Sequence, residues 1–251
     1  MGYILLAGGA EFGGRMSEPD RRAIELAGGL DAPIRIIPTA AAPDNNHVRA
    51  GNNGVRWFKS LGAKDVDVTY VIDKPSAEDE SIADVLRSAR LIYLLGGFPR
   101  FTGETLADSR AWRAMLEAFE NGAVLAGSSA GAMVLCEHYY DPQAGELLKG
   151  INLIPNACVL PHHNNFGRGW AAQLMKQIPA ATLIGVDEGT GVILEDGSST
   201  ALGLDTVGRT PTYSTISSAQ SGRWTVYGAG EVTLYRGGQP KVHARGESFI
   251  L

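Results

Sequence analysis

The chain has 251 residues, 44% of them hydrophobic, and a formal net charge of −5; it can bury one substantial core, and α/β chains of this length commonly form a single domain. An acidic balance without a basic patch excludes nucleic acid and anionic membrane surfaces as partners and leaves a small molecule or peptide. No cationic start leads into a long apolar run, and no run reaches membrane-spanning length, so the expectation is a cytoplasmic protein.

In chain order, residues 3–7 read as a buried strand stopped by Gly8-Gly9, followed by helical spacing at 21–27 and a second buried strand at 33–39. Residues 46–61 have helical spacing, 66–71 alternate as a strand, 83–90 read as a helix, and the strand 91–95 is ended by Gly96-Gly97. A helix at 110–121 precedes residues 123–135, which read as a strand, a Gly-x-Ser-x-Gly turn and an apolar helix start. Strands at 157–160 and 182–186 flank a helix at 170–178. This alternation predicts an α/β fold with a doubly wound, mostly parallel sheet.

From Gly191 the texture changes to short β runs at 192–195, 201–203, 224–227 and 232–235, separated by Gly, Ser and Asp turns. Residues 191–251 read as a C-terminal antiparallel β appendage of the same domain, 1–251, a candidate for shaping the substrate entrance or for a homodimer contact. Residues 210–223, rich in Ser, Thr and Gly, read as a solvated loop. Cys136 and Cys158 lie in apolar segments without metal-ligand spacing and read as buried small hydrophobes, with no disulfide expected.

The segment Gly127-Ser128-Ser129-Ala130-Gly131 carries the chemistry. A strand that turns sharply into a helix strains its corner residue, and glycines on either side remove Cβ atoms that would clash as the chain reverses. Ser129 is then held at the tip as a candidate nucleophile, beside the first free N–H groups of the new helix, where an oxyanion can bind. A serine hydroxyl needs a base within about 2.6–3.2 Å, itself held by a third group.

Ligands of open α/β sheets sit at the carboxyl ends of the strands. Those ends carry Gly8-Gly9, Gly96-Gly97, Ser129, Pro161-His162-His163 and Asp187-Glu188. Of the five histidines, His47 lies in a polar early segment, His243 in the C-terminal β region, and His138 along or just beyond the elbow helix. His162 is the favoured base and His163 its alternative, because neighbours on an extended chain point in opposite directions. The acid stays open between Asp141 and Glu188, with Glu146 behind them. Gly97 and Ala130 N–H groups are the candidate oxyanion hole. Arg100, Arg168 and His163 are the candidate substrate-binding residues, the two arginines as bidentate partners of a carboxylate. No metal site and no cofactor are read from the sequence.

Taken together, Leu94-Leu95-Gly96-Gly97, Ala126-Gly127-Ser128-Ser129-Ala130-Gly131-Ala132, Gly150-Ile151-Asn152-Leu153-Ile154-Pro155 with Val159-Leu160-Pro161-His162, and Ile184-Gly185-Val186-Asp187-Glu188-Gly189-Thr190 resemble the dipeptidase E and cyanophycinase family of serine peptidases. The resemblance implies a fold related to class I glutamine amidotransferases, a Ser129 nucleophile, a His162 base and hydrolysis without metal or organic cofactor. It also implies substrates that contain aspartate, either dipeptides with an N-terminal aspartyl residue or the β-linked Asp-Arg units of cyanophycin. The family's acid usually falls between nucleophile and histidine, which favours Asp141 or Glu146; the Asp-Glu after the next strand keeps Glu188 open. Two positions depart from the family pattern. Leu160-Pro161 stands where cyanophycinase-like members have Asp-Gln, and Phe98 where a polar residue often follows Gly-Gly. The expectation is an aspartyl dipeptidase-like serine peptidase, with a cyanophycinase-like hydrolase and a non-catalytic amidotransferase-like binding protein as alternatives. Glutaminase chemistry is disfavoured because that class uses cysteine at the elbow.

Overall fold

A computed structural model of the protein describes residues 2–196 and 222–251. The expected strand at 201–203 lies outside them, as does the expected loop at 210–223 apart from its last two residues. The first half alternates as β1 (Tyr3–Ala7), α1 (Ser17–Leu26), β2 (Ile34–Ile37), α2 (His47–Ser60), β3 (Val66–Val68), the single turn α3 (Lys74–Ala77), α4 (Glu80–Arg87), β4 (Leu91–Leu94), α5 (Pro99–Leu106), α6 (Arg110–Glu120), β5 (Val124–Ser128) and α7 (Ala130–Leu135). Side-chain caps fix several of the starts. Asp73 and Ser76 form a capping box on α3, Asp79 accepts from Ser81 N–H at α4, and Ser109 accepts from Trp112 N–H at α6.

The second half runs β6 (Cys136–Asp141), β7 (Glu146–Lys149), β8 (Ile154–Leu160), α8 (Ala171–Gln177), β9 (Thr182–Val186), β10 (Thr190–Asp196), β11 (Arg223–Gly228), β12 (Val232–Tyr235), β13 (Lys241–His243) and β14 (Ser248–Ile250).

Among the described residues the strands form two sheets, one of eight in the order β14-β11-β10-β1-β5-β4-β2-β3 and one of six in the order β13-β12-β9-β8-β6-β7. The five strands from β1 to β3 are mutually parallel. Strands β8 and β9, expected to extend that sheet, instead form the parallel centre of the second one with β6. The cause is the shortness of α7. It ends at Leu135, and Cys136 is already extended, so the chain enters β6 without a full crossover helix. The C-terminal strands are antiparallel as expected, but they extend both sheets edge to edge: β10 pairs with β1, and β12 with β9.

Side chains alternate across the first sheet with the period of two that strands impose. Leu5, Ile36, Tyr93 and Ala126 face α1 and α2 with Ile24 and Phe58, while Ile4, Ile92, Leu94 and Leu125 face the other way onto Trp112, Met115 and Phe119 of α6. Both faces are covered, so β5 is buried along its whole length, as parallel strands require. Among the described residues no helix is long and apolar enough to cross a membrane.

Asp20 of α1 is an exception to the apolar rule. It is fully buried, and its Oδ2 accepts the Trp57 indole N–H at 2.7 Å. Burial outweighs that hydrogen bond and, with the nearby Glu11 charge, raises the carboxyl pKa from 3.8 to about 7. In the unfolded chain the same carboxyl ionises near its ordinary value. Between the two values the folded state binds the extra proton, so stability falls as pH rises from about 4 to 7, by at most about 1.4 kcal/mol per pH unit. Asp20→Asn is expected to flatten that slope in urea titrations across this range; an unchanged slope would mean that Asp20 is ionised in the fold.

Candidate active site

The corner between β5 and α7 is sharp. Ser129 sits there with φ 47° and ψ −112°, a strained conformation that the two flanking glycines make sterically accessible. A Cβ on Gly127 would lie 2.5 Å from Gly131 backbone atoms, and one on Gly131 would lie 2.3 Å from the Leu94 carbonyl. The Ser129 amide is anchored to the Ala7 carbonyl at 3.0 Å. That leaves its hydroxyl free to point past the carboxyl edge of the sheet.

His162 comes to that edge from β8. Its amide donates to the Gly8 carbonyl at 2.7 Å, its backbone is left-handed with φ 48°, and its ring lies over Gly9. Ser129 Oγ is 3.0 Å from His162 Nε2, and His162 Nδ1 is 2.6 Å from Glu188 Oε1. With Nδ1–H donating to the carboxylate, Nε2 is the free acceptor for the serine proton. Glu188 is delivered by β9, which runs parallel to β8 with Leu160 opposite Gly185, so the residues just beyond both strand ends meet. Its amide donates to Asn164 Oδ1 at 3.1 Å, and Phe166 stacks on the His162 ring at 4.8 Å and 25°. Asn164 and Phe166 were not singled out from the sequence, where nothing marked them beyond nearness to the histidine pair.

The candidate oxyanion donors flank the serine. Ala130 opens α7, so its N–H has no partner one turn back. Gly97, with φ 140°, makes no N–H hydrogen bond among the described residues, and the next amide, Phe98, is tied to the Ala40 carbonyl at 2.9 Å. Glu11 is a further element that sequence reasoning missed. Its Oε1 accepts Gly96 N–H at 3.2 Å and its Oε2 accepts the Ser128 hydroxyl at 2.5 Å. A lone acid in a glycine-rich loop carries no sequence signal for such a role.

The remaining candidates go elsewhere. Asp141, buried in the β6–β7 hairpin, accepts from Arg100 Nε at 2.8 Å, and Glu146 takes the other side of the same guanidinium. The structure therefore gives the His162 ring to Glu188, and ties Asp141, Glu146 and Arg100 to one another. Arg100, a candidate for a substrate carboxylate, already holds two protein carboxylates. His163 turns away from Ser129, although the chain at His162 is left-handed and not extended. It is 1% exposed, over Gly185, with Nε2 2.8 Å from the Tyr235 hydroxyl and Nδ1 3.5 Å from Asp187. Burial, with Arg168 adding to it, holds the His163 pKa below its ordinary value. Its ring lies between β8, β9 and β12. Arg168 is exposed in the helical turn Gly167–Trp170 and has no ion pair among the described residues.

A cavity of about 630 Å³ opens beside the elbow, lined by Glu11, Gly96, Asn46 and, from α2, Asn53, Arg56 and Trp57. Arg56 bonds only Asn53 and has no carboxylate partner among the described residues. Among them, no group of three or more His, Cys, Asp or Glu side chains is arranged to hold a metal ion.

The sequence profile of Peptidase family S51 matches residues 4–202. The chain belongs to peptidase family S51. It is similar to a cyanophycinase of Geminocystis herdmanii, 30% identical over 205 residues that cover 76% of this chain and 74% of that one. It is also similar to a cyanophycinase of Synechococcus elongatus, 28% identical over 220 residues, 82% and 67% of the two chains. Among solved structures, a peptidase from an acI-B1 Actinobacterium superposes with TM-score 0.81 at 26% identity, covering 100% of this chain and 97% of that one. A putative Peptidase E from Listeria monocytogenes EGD-e shares the fold, with TM-score 0.56 at 20% identity over 77% and 94%.

Membership in S51 makes the protein a hydrolase acting on a peptide substrate. The described C-terminal strands β11–β14 lie beyond the S51 match and extend the two sheets that carry the S51 region.

Proposed function

We propose that this S51 peptidase cleaves short aspartate-containing peptides through an acyl-enzyme on Ser129. The observation that carries the reading is the continuous chain Ser129 Oγ, His162 Nε2, His162 Nδ1, Glu188 Oε1 at 3.0 and 2.6 Å. As Ser129 Oγ bonds to the peptide carbonyl carbon, its proton passes to His162 Nε2, and the carbonyl electrons move onto an oxygen facing the Gly97 and Ala130 amides. Glu188 holds the imidazolium that results. Collapse of the intermediate breaks the C–N bond, the leaving amine takes the proton from His162, and water then releases the acyl group by the same steps in reverse.

An acidic substrate side chain calls for a cation. Arg168 on the Phe166 turn and Arg56 in the cavity are exposed to that role without a protein carboxylate, whereas Arg100 is engaged. A second reading, the β-linked Asp-Arg units of cyanophycin, is favoured by the names of the relatives at 30% and 28% identity.

The test is hydrolysis of dipeptides with Asp, Glu, Asn or Ala at the N-terminus, together with β-linked Asp-Arg, by wild type and Ser129→Ala. Turnover confined to aspartyl dipeptides and lost in the variant supports the first reading, and turnover of β-Asp-Arg selects the second. Failure of a serine-reactive phosphonate to label Ser129 would overturn the nucleophile itself.

A further inference from the structure

Two successive glycines form the loop that carries one candidate oxyanion donor. Glycine pairs have the largest backbone freedom of any dipeptide, so the direction of Gly97 N–H is not set by the loop itself. On its far side the loop is held by Phe98 N–H on the Ala40 carbonyl, and Gly97 lies so close to that carbonyl that a Cβ would sit 2.2 Å from it. On its near side the only described restraint on the Gly96 amide is the Glu11 carboxylate, which at the same time holds the hydroxyl of Ser128, the residue preceding the nucleophile. Ser128 is fully buried. A Cβ placed on Gly96 would lie 3.0 Å from Glu11 Oε1 and 3.2 Å from Ser129 Cβ, so carboxylate, loop and nucleophile share one wall.

We infer that Glu11 is a positioning residue: its carboxylate clamps the Gly96-Gly97 loop to the nucleophile elbow and so aims the Gly97 amide at the oxyanion. The inference rests on the serine-peptidase reading above. A negative charge beside a developing oxyanion opposes catalysis on electrostatic grounds, so the contribution of Glu11 lies in its two accepted hydrogen bonds and not in its charge. Glutamine can keep both contacts, the one to Ser128 with its direction reversed. Its Oε1 accepts Gly96 N–H and its amide donates to Ser128 Oγ, with no charge at all.

The experiment compares Glu11→Ala and Glu11→Gln with wild type by the rate of Ser129 phosphonylation, whose adduct places an oxygen in the oxyanion hole, and by hydrogen exchange at the Gly96 amide. Glu11→Ala is expected to slow phosphonylation about 100-fold, the cost of a misplacement on the ångström scale, and to speed Gly96 exchange; Glu11→Gln recovers most of both. Glu11→Ala and Ser128→Ala together should lose less than the product of their separate losses, because they break one linkage.

Equal impairment of both Glu11 variants, expressed in KM for a peptide, would replace the clamp with a charge that binds substrate. Unchanged Gly96 exchange in Glu11→Ala overturns the clamp whatever the activity. Absence of phosphonylation in wild type instead overturns the nucleophile, and the exchange measurement then decides the clamp on its own.

Discussion

Glu188→Gln is expected to lower kcat/KM about ten-thousandfold, the cost that follows when a triad acid can no longer hold its histidine in the working tautomer. The wild-type carboxylate only accepts, so it fixes the proton on His162 Nδ1 and leaves Nε2 open toward Ser129 at 3.0 Å. A glutamine amide facing Nδ1 donates instead, which moves the ring proton to Nε2 and removes the base. Asp141→Asn is the matched control. Asp141 lies at the start of the β6–β7 turn, paired with Arg100, and its replacement should leave kcat/KM within a few-fold while loosening that hairpin. A larger activity loss for Asp141→Asn than for Glu188→Gln would reverse the roles of the two acids.

Gly9→Ala is the second large effect. A Cβ there would lie 2.3 Å from His162 Cε1 and 2.8 Å from both ring nitrogens, and the backbone φ of 116° already disfavours any side chain. The ring cannot retreat cheaply, because the His162 amide is bonded to the Gly8 carbonyl one residue away and Phe166 covers the opposite face. The expected result is a roughly 100-fold fall in kcat/KM with about 1–3 kcal/mol of lost stability, read by steady-state kinetics and urea unfolding. Activity near wild type would show that the base tolerates displacement and that the 3.0 Å contact is not required.

The elbow and the histidine that meets it were legible in the sequence for physical reasons. Gly127 and Gly131 flank Ser129 because backbone atoms occupy the space of their missing Cβ atoms, and that demand is written directly as residue type. His162 stands out because few histidines end a buried strand. Which carboxylate meets the His162 ring was not legible in the same way, since Asp141, Glu146 and Glu188 are chemically alike. What separates them is that β8 and β9 are neighbours in register, a fact of sheet pairing and not of composition. The β6–β7 hairpin was overlooked although its signal was present. Asp141-Pro142-Gln143-Ala144-Gly145 is a turn sequence, with Gly145 at φ 72°, but the apolar run from Met133 to Cys136 continued the helical pattern across the boundary. The partition into two sheets depended on the length of α7, which that same run concealed.

The place of β10 beside β1 bears on the order in which the molecule can be completed. Ile4 pairs with Leu125 on one side and with Leu194 on the other. Closing the longer of these loops costs only about 0.4 kcal/mol more than closing the shorter, because loop entropy grows with the logarithm of length. The burden is kinetic: until β10 arrives, β1 presents an open apolar edge, the kind of surface on which partly folded chains associate. The turn between β9 and β10 also straps the end of β1, through Gly8 N–H on Thr190 and Gly189 N–H on Gly9, beside the backbone that carries His162 and Glu188. The arrangement at Ser129, His162 and Glu188 thus depends on strands drawn from distant parts of the chain having met.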